Sequence, residues 1–144
     1  MLEDVVAPRG PYRLALMTRG GGWSWPLPGG RKALAWQLRD GRVAIRASDE
    51  EGLETARFQL ALSDDTGPFH ERYSRDPLVG PSARAFLEYR PLRVPTVAHA
   101  LLRAFCGQLI ESRRAAAIER AILRHLGLEV ATREALAAAA PAEL

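Results

Sequence analysis

The chain has 144 residues and a net charge of +3, and 47% of its residues are hydrophobic and 26% charged. A chain of this length and balance can bury a core of its own, which excludes the disordered and fibrous classes. No apolar run approaches the roughly 18 residues of a membrane span, and the start lacks the pattern of a signal peptide. We therefore expect a bacterial, cytoplasmic protein without a membrane partner.

Arginine dominates the basic residues, because Lys32 is the only lysine among twenty. The planar guanidinium group binds phosphate through paired hydrogen bonds, which suits nucleic acid. A genome rich in G and C also replaces Lys with Arg, and we favour that explanation for the total. The places where arginines cluster are therefore more informative than their number.

The first third of the chain carries strand signals. Tyr12–Met17 has the composition of a strand, and the RGGGWSWPLPGG segment after it contains too many breakers for a helix or a strand. ALAWQLR and RVAIRA follow, joined through Asp40 and Gly41, a pair typical of tight hairpin turns. Because Val43 and Ile45 alternate with less apolar residues, the sequence predicts an antiparallel hairpin with one buried face.

Helical patterns begin at Asp49. Acidic residues open DEEGLETARFQLAL, and the spacing of its apolar residues predicts a first helix. Prolines divide the next stretch into short helical pieces. Thr96 is then expected to cap a largely buried helix, because Val97, Leu101 and Phe105 recur at helical spacing.

A second long helix is expected to begin near Ser112 and to stop at Gly127. Arg113, Arg120 and Arg124 share one of its faces. A solvated face explains this stripe most simply, and a phosphate-binding face is the alternative. A short alanine-rich helix comes last. The expected caps of the three helices after residue 95 are Thr96, Ser112 and Thr132.

No residue pattern predicts a catalytic or metal site. His70, His99 and His125 lack the short spacings of metal ligands. Cys106 stands two helical turns from His99, beyond hydrogen-bond reach, and is expected to be a small core residue. No carboxylate is placed where it would be isolated from water. We therefore expect no metal and no cofactor, and we nominate no general acid or base.

The glycine-rich segment after residue 18 invites comparison with phosphate-binding loops. It lacks the required order of glycines followed by Lys-Ser or Lys-Thr and a helix. A loop carrying Trp23 and Trp25 is the simpler interpretation. These two side chains could stack on a nucleic-acid base or cover the sheet.

Beyond these patterns, the second half of the chain resembles the helix-hairpin-helix DNA glycosylases, closest to the DNA-3-methyladenine glycosylase II group. The resemblance extends more weakly toward residue 20. Short motifs carry it, and they are the Asp76-Pro77-Leu78 turn with Gly80, the Arg90-Pro91 pair, GQLI at Gly107–Ile110 and the RAAAIERAI that follows.

The resemblance implies residue roles on DNA. In that family a side chain wedges into the base stack while the damaged nucleotide is turned out into a pocket. By position Leu109 would be the wedge, with Gln108 beside it, although Leu109 could instead close the core under a turn between helices. Arg113, Arg120 and Arg124 would contact the DNA backbone.

The resemblance also implies an α+β chain in two parts. Residues 1–75 would form an N-terminal subdomain with a small antiparallel sheet, and residues 76–144 would form the first helices of an all-α glycosylase domain. The family's glycine hairpin and catalytic aspartate would lie beyond Leu144, so we expect a truncated domain with no catalytic residue and no glycosylase activity of its own.

The family function is base-excision repair, by hydrolytic release of alkylated purines. The expected partner is duplex DNA with an alkylated base, in the nucleoid and bound weakly or not at all. Helix faces exposed by truncation would also allow self-association. The competing interpretations are a non-enzymatic module that binds DNA or protein, and a stable fragment without function.

Overall fold

A computed structural model of the chain describes residues 1–108 and 110–139, except for the side chain of Arg19. It confirms the expected α+β class, since one small sheet precedes a series of helices. The elements of the described residues are β1 (Leu2–Val6), β2 (Gly22–Leu27), β3 (Arg31–Gln37), β4 (Val43–Ala47), α1 (Glu50–Gln59), α2 (Gly67–Tyr73), α3 (Gly80–Ala85), α4 (Val97–Gly107), α5 (Ser112–His125) and α6 (Arg133–Ala138).

The sheet contains the predicted hairpin at its centre. Its strand order is β1-β4-β3-β2, and β4 is antiparallel to both β1 and β3. Asp40 accepts a hydrogen bond from the Arg42 amide at 3.1 Å, and Gly41 adopts a φ of 88° that favours glycine. Ala35 and Ile45 face each other across the hairpin and are buried. The turn residues therefore set the register that buries these apolar side chains.

Two expectations for the first third are wrong. Tyr12–Met17 is not a strand, because Leu14–Leu16 forms a short 3₁₀ turn whose first amide donates to the Gln37 side-chain oxygen at 2.9 Å. The segment GWSWPL, in contrast, forms β2 despite its proline. Strand β2 lies at an edge of the sheet, and edge strands are the ones that tolerate proline.

The described chain divides into two compact units. Unit 1 comprises Met1–Trp25 and Lys32–Arg93, and unit 2 comprises Pro26–Arg31 and the described residues from Val94 onward. The two units are defined by contacts within the folded chain. The boundary expected between residues 75 and 76 stays a prediction.

Helix α1 packs on the strands of unit 1. The Asp49 side chain accepts the Gly52 amide at 2.8 Å, and Glu50 and Glu51 occupy the first turn, where the helix dipole favours negative charge. A largely aliphatic core lies between this helix and the sheet. It includes Leu14, Val43, Ile45, Leu53, Ala56, Leu60 and Leu62.

Helix α4 of unit 2 differs from its predicted burial. Thr96 caps it as expected, since its hydroxyl accepts the His99 amide at 3.0 Å. Val97 is 77% exposed and Phe105 67% exposed, however, and Leu101 is exposed as well. Helical spacing predicted the apolar stripe correctly but could not show what covers it. Self-association through such a face stays a prediction.

None of the helices within the described ranges combines the length and apolar character needed to cross a membrane. This finding concerns the helices of residues 1–108 and 110–139 alone.

Tyr12 makes the stability of unit 1 sensitive to alkaline pH. Its buried hydroxyl donates to the Leu60 carbonyl at 3.1 Å. Burial raises the pKa of Tyr12 from 10.0 to about 12, although the Arg90 charge opposes this shift. Because the folded chain holds the proton more tightly than the unfolded chain, stability is complete below pH 10 and falls as the pH rises to 12. We expect urea titrations to show a loss of about 2–3 kcal/mol over this interval.

The control for this prediction is Tyr12→Phe, which has no hydroxyl to titrate. We expect its free energy of unfolding to vary less over the same pH interval. Equal pH dependence in the two proteins would contradict a role for Tyr12.

Candidate functional site

A cavity of about 670 Å³ lies between α2 and α3 in unit 1. This volume falls within the range of small-molecule sites, roughly 300–1,000 Å³. The side chains around it are mainly apolar and aromatic. They are Thr66, Phe69, His70, Val79, Ser82, Ala83, Phe86, Tyr89 and Pro91.

Short-range signals place the two helices of this cavity. Pro68 and Pro81 stand in the first turns of α2 and α3, where a missing amide costs no hydrogen bond. Asp76 fixes the turn between the helices, since one carboxylate oxygen accepts the amides of Leu78 and Val79 at 2.8 and 2.9 Å. The hydrogen bonds from Val79 and Leu78 also hold the pKa of Asp76 below its ordinary value.

Gly80 allows α3 to begin against the end of α2. A Cβ atom at this position would lie 2.7 Å from the Ser74 carbonyl oxygen, which is too close for real atoms. We expect Gly80→Ala to lower the free energy of unfolding by about 1–3 kcal/mol, because the backbone must move to remove the clash. Urea titration followed by circular dichroism measures this loss.

The matched control is Gly107→Ala in α4, where an added Cβ meets no atom within 4 Å. Since alanine favours helix more than glycine does, we expect this variant to be neutral or stabilised by up to about 1 kcal/mol. Similar losses at the two glycines would contradict the close approach at Gly80.

Aromatic rings form opposite walls of the cavity. On one wall Phe69 packs edge-on against His70, with ring centroids 5.4 Å apart. On the other wall Phe86 and Tyr89 make a similar contact at 6.3 Å. Phe69 is nevertheless 49% exposed and Phe86 57% exposed. The cavity thus presents aromatic surface to water, which costs free energy that a bound apolar molecule would recover.

Two polar atoms of cavity residues lack partners. The Thr66 hydroxyl and His70 Nδ1 are both shielded from solvent and have no hydrogen bond to any described residue. They stand one helical turn apart, since the His70 amide donates to the Thr66 carbonyl. Buried polar atoms are nearly always bonded, so two neighbouring exceptions mark this wall as unusual.

A smaller cleft of unit 2, about 270 Å³, differs from the cavity because charged side chains line it. Arg120, Arg124 and Glu129 surround an apolar floor, and all three side chains are exposed. Within the described ranges none of the three makes an ion pair. The cleft therefore offers two cations and one anion to a molecule that carries both kinds of charge. Its floor consists of Pro26, Leu123 and Leu128.

Unit 2 also contains a buried polar cluster between α4 and α5. His99 Nε2 contacts a Glu119 carboxylate oxygen at 2.9 Å, and Arg103 donates to both oxygens of Glu119, at 3.2 and 3.3 Å. The Ala131 amide donates to His99 Nδ1 at 3.3 Å. Burial would raise the pKa of Glu119, but hydrogen bonds from Arg103 and His99 lower it below its ordinary value.

This cluster holds helices together. Both ring nitrogens of His99 are engaged, and the Glu119 carboxylate accepts three hydrogen bonds. Cys106 is buried as expected, and burial, followed by the Glu119 charge, raises the pKa of its thiol. The thiol is therefore protonated at neutral pH and is a poor nucleophile. Across the residues that the structure describes, no three His, Cys, Asp or Glu side chains are grouped as metal ligands.

The site residues predicted from the sequence are scattered. Trp23 is buried in β2 and Trp25 is half-buried, and base stacking by either ring stays a prediction. Gln108 is exposed after α4, whereas Leu109 lies outside the described residues. The arginines expected to contact DNA are exposed on α5, and only two of them line the cleft. These three residues are Arg113, Arg120 and Arg124.

No protein-family model matches the chain. The chain is similar to the diaminopimelate epimerase of Methylobacterium sp. (strain 4-46), with 33% identity over 106 residues. The aligned residues make up 66% of this chain but only 36% of that epimerase. The chain therefore spans little more than a third of the relative's length.

This similarity corrects the interpretation as a DNA-3-methyladenine glycosylase. Membership of the glycosylases and a function in base-excision repair are both wrong, because the relative is an epimerase and no family model supports a glycosylase. The expectation of duplex DNA as a partner loses that support, and so does association with the nucleoid. The nucleoid association rested on the resemblance alone, whereas duplex DNA as a partner also rested on the arginine stripe of α5 and stays a prediction.

The motifs behind the resemblance have local structural explanations. Asp76 caps a turn, and Gly80 permits a close contact with Ser74. The Arg90 guanidinium binds backbone carbonyls inside unit 1. Because turns, helix contacts and buried arginines recur in unrelated folds, these residues do not identify a family.

Proposed function

We propose that the chain acts on an amino acid, as part of an epimerase similar to diaminopimelate epimerase. The 33% identity over 106 residues carries this proposal. An epimerase inverts a carbon centre by breaking a C–H bond and returning a proton to the opposite face. Because the chain spans only 36% of the relative, the proposal covers binding and orientation of the amino acid and leaves the proton-transfer groups unassigned.

The charged cleft of unit 2 is the place where such a substrate would bind. Diaminopimelate carries two carboxylates and two amino groups, so its site must supply cations and anions together. Arg120 and Arg124 present guanidinium groups and Glu129 presents a carboxylate around a floor of apolar side chains. Guanidinium binds a carboxylate through paired hydrogen bonds, and a carboxylate accepts hydrogen bonds from an ammonium group. The floor suits the methylene chain between these groups.

Exchange of the substrate's α-proton in D₂O tests this proposal. Epimerisation replaces the α-hydrogen of diaminopimelate by deuterium, which removes its NMR signal. We expect exchange, or binding detected as shifts of α5 amides. Arg120→Gln and Arg124→Gln should each raise KM or Kd by about 10-fold or more, because a charge-assisted hydrogen bond contributes about 1.5–3 kcal/mol.

Arg113→Gln is the matched control. It removes the same charge from the same helix, but Arg113 does not line the cleft. We expect its affinity for diaminopimelate to equal that of the original chain. A chain that neither exchanges nor binds diaminopimelate would contradict the proposal, and so would equal effects at all three arginines.

A cytoplasmic location remains part of the proposal. The single cysteine supports it, since a chain with one thiol forms no internal disulfide. Fractionation of cells that express a tagged full-length protein would test it, and a tag found outside the cytoplasm would contradict it.

A further inference from the structure

We infer that the cavity between α2 and α3 binds a small, flat, largely aromatic molecule that carries one hydrogen-bonding group. This site lies wholly in unit 1, and its ligand is chemically unlike the amino acid proposed for the cleft of unit 2. The proposal therefore does not depend on epimerase activity.

The lining of the cavity determines the class of ligand. None of the nine lining residues carries a carboxylate, an ammonium or a guanidinium group. A doubly charged amino acid would lose its hydration there without compensation, which costs several kcal/mol per charge. An uncharged aromatic molecule instead gains apolar contact with Phe69 on one side and Phe86 on the other.

The size of the cavity favours a small molecule over a protein segment. About 670 Å³ accommodates one or two fused rings with room to spare, and such sites usually combine apolar walls with a few convergent polar groups. Interfaces with proteins are flatter and larger, and they bury about 800 Å² on each partner.

The two unpartnered polar atoms supply the orienting group. The Thr66 hydroxyl and His70 Nδ1 adjoin each other on one helical turn and lack hydrogen bonds to the described residues. Both residues line the cavity, and we expect a bound ligand to draw one of these atoms toward it by rotation of the side chain. A ligand N–H or O–H would then meet an acceptor there, while the rest of the ligand remains in apolar contact.

Indole and benzothiophene form a matched pair of probes, because they have nearly the same shape and only indole has an N–H donor. We expect indole to bind the full chain with a dissociation constant on the order of 0.1–1 mM. Amide NMR shifts should be confined to residues 66–70, 79–83 and 86–91. Sedimentation measured on the same sample reports whether a second copy covers the cavity.

Two sets of variants test the location and the polar contact. Val79→Phe fills the cavity and should weaken indole binding at least 10-fold, whereas Leu78→Phe, which adds the same ring beside it but outside the lining, should have no effect. Thr66→Val and His70→Phe should each reduce the preference for indole over benzothiophene by about 3–10-fold, since each removes one acceptor.

Several results would overturn the proposal. They are shifts outside the cavity, equal binding by Val79→Phe and the original chain, an unchanged preference in both polar variants, or a dimer whose contact covers Phe69 and Phe86. The probe comparison needs no substitution, so it remains decisive even if a variant fails to fold.

Discussion

Arg90→Ala is expected to lower the free energy of unfolding by at least about 3–5 kcal/mol, a large part of the 5–15 kcal/mol typical of a domain. Arg90 is only 1% exposed. Its guanidinium donates to the Ala61 carbonyl at 2.7 Å, to the Pro11 carbonyl at 3.3 Å and also to the Arg9 carbonyl. Removal of the side chain breaks these hydrogen bonds, of which the one to Ala61 is buried, and opens a void.

The backbone conformation of Ala61 supports the importance of its contact with Arg90. Ala61 has a φ of 54°, a left-handed conformation that favours glycine, at the end of α1. This conformation costs about 1 kcal/mol for alanine and persists because its surroundings require it. The carbonyl of the same residue accepts the Arg90 guanidinium. Burial lowers the pKa of Arg90, although Tyr12, Asp64 and Asp65 act in the opposite direction.

Arg93→Ala is the control for Arg90→Ala. Arg93 also contacts a backbone carbonyl and makes an ion pair, with Asp64 at 2.7 Å, but its side chain is 39% exposed. Exposed pairs contribute about 0–1 kcal/mol, so we expect a small loss. Arg90→Lys keeps the positive charge but lacks the planar guanidinium group, so it should lower the free energy of unfolding by an intermediate amount. Chemical denaturation would contradict the role of Arg90 if the two alanine variants had equal stability.

Elements with local signals could be predicted from the sequence. The Asp40-Gly41 turn gave the central hairpin, and Asp49, Thr96 and Thr132 cap their helices through side-chain hydrogen bonds within three residues. Each of these signals acts over a few residues. Such a signal can be recognised in a single sequence because the donor and the acceptor lie close together along the chain.

The edge strands could not be predicted in the same way. Strand β1 contains Glu3 and Asp4, and acids usually disfavour strands. Here Asp4 pairs with Arg57 at 2.7 Å across 53 residues of sequence, and Glu3 pairs with Arg46 at 2.7 Å. Whether these edge residues form strands depends on contacts with residues far away in the sequence. The periodicity of the sequence contains no information about such contacts.

The cavity between α2 and α3 was also missed, for a related reason. Its aromatic walls come from two short helices and the segment after them, so Phe69, Phe86 and Tyr89 follow no common period. A cluster of aromatics among prolines was the available signal. Prolines at this spacing predict short helical pieces, whereas the position of one piece beside another depends on Gly80 and the Asp76 turn.

Glu119→Ala is the second substitution with a large expected effect, about 2–4 kcal/mol of lost stability. Removal of the carboxylate leaves the Nε2–H of buried His99 without its acceptor and removes the contact between Arg103 and Glu119. The Ala131 amide already occupies His99 Nδ1, so the ring cannot turn to another partner without breaking that bond. Arg120→Ala, at the next position of α5 but on its exposed face, should leave stability unchanged.

Acid pH gives a second readout for Glu119. Its pKa is lowered in the folded chain, from 4.5, because the bonds from Arg103 and His99 outweigh burial. A lowered pKa in the folded chain means that the unfolded chain binds the proton more readily, so protonation favours unfolding. The stabilisation is therefore complete above pH 4.5 and is lost as the pH falls through the folded pKa.

We expect the stability difference between the original chain and Glu119→Gln to shrink below pH 4.5, because protonation makes the two side chains alike in charge. Urea titrations from neutral to acid pH measure this difference. A stability difference that stays constant across the range would show that Glu119 acts through packing alone. Since His99, Arg103 and Glu119 join α4 to α5, loss of the charge should separate these helices before it affects unit 1.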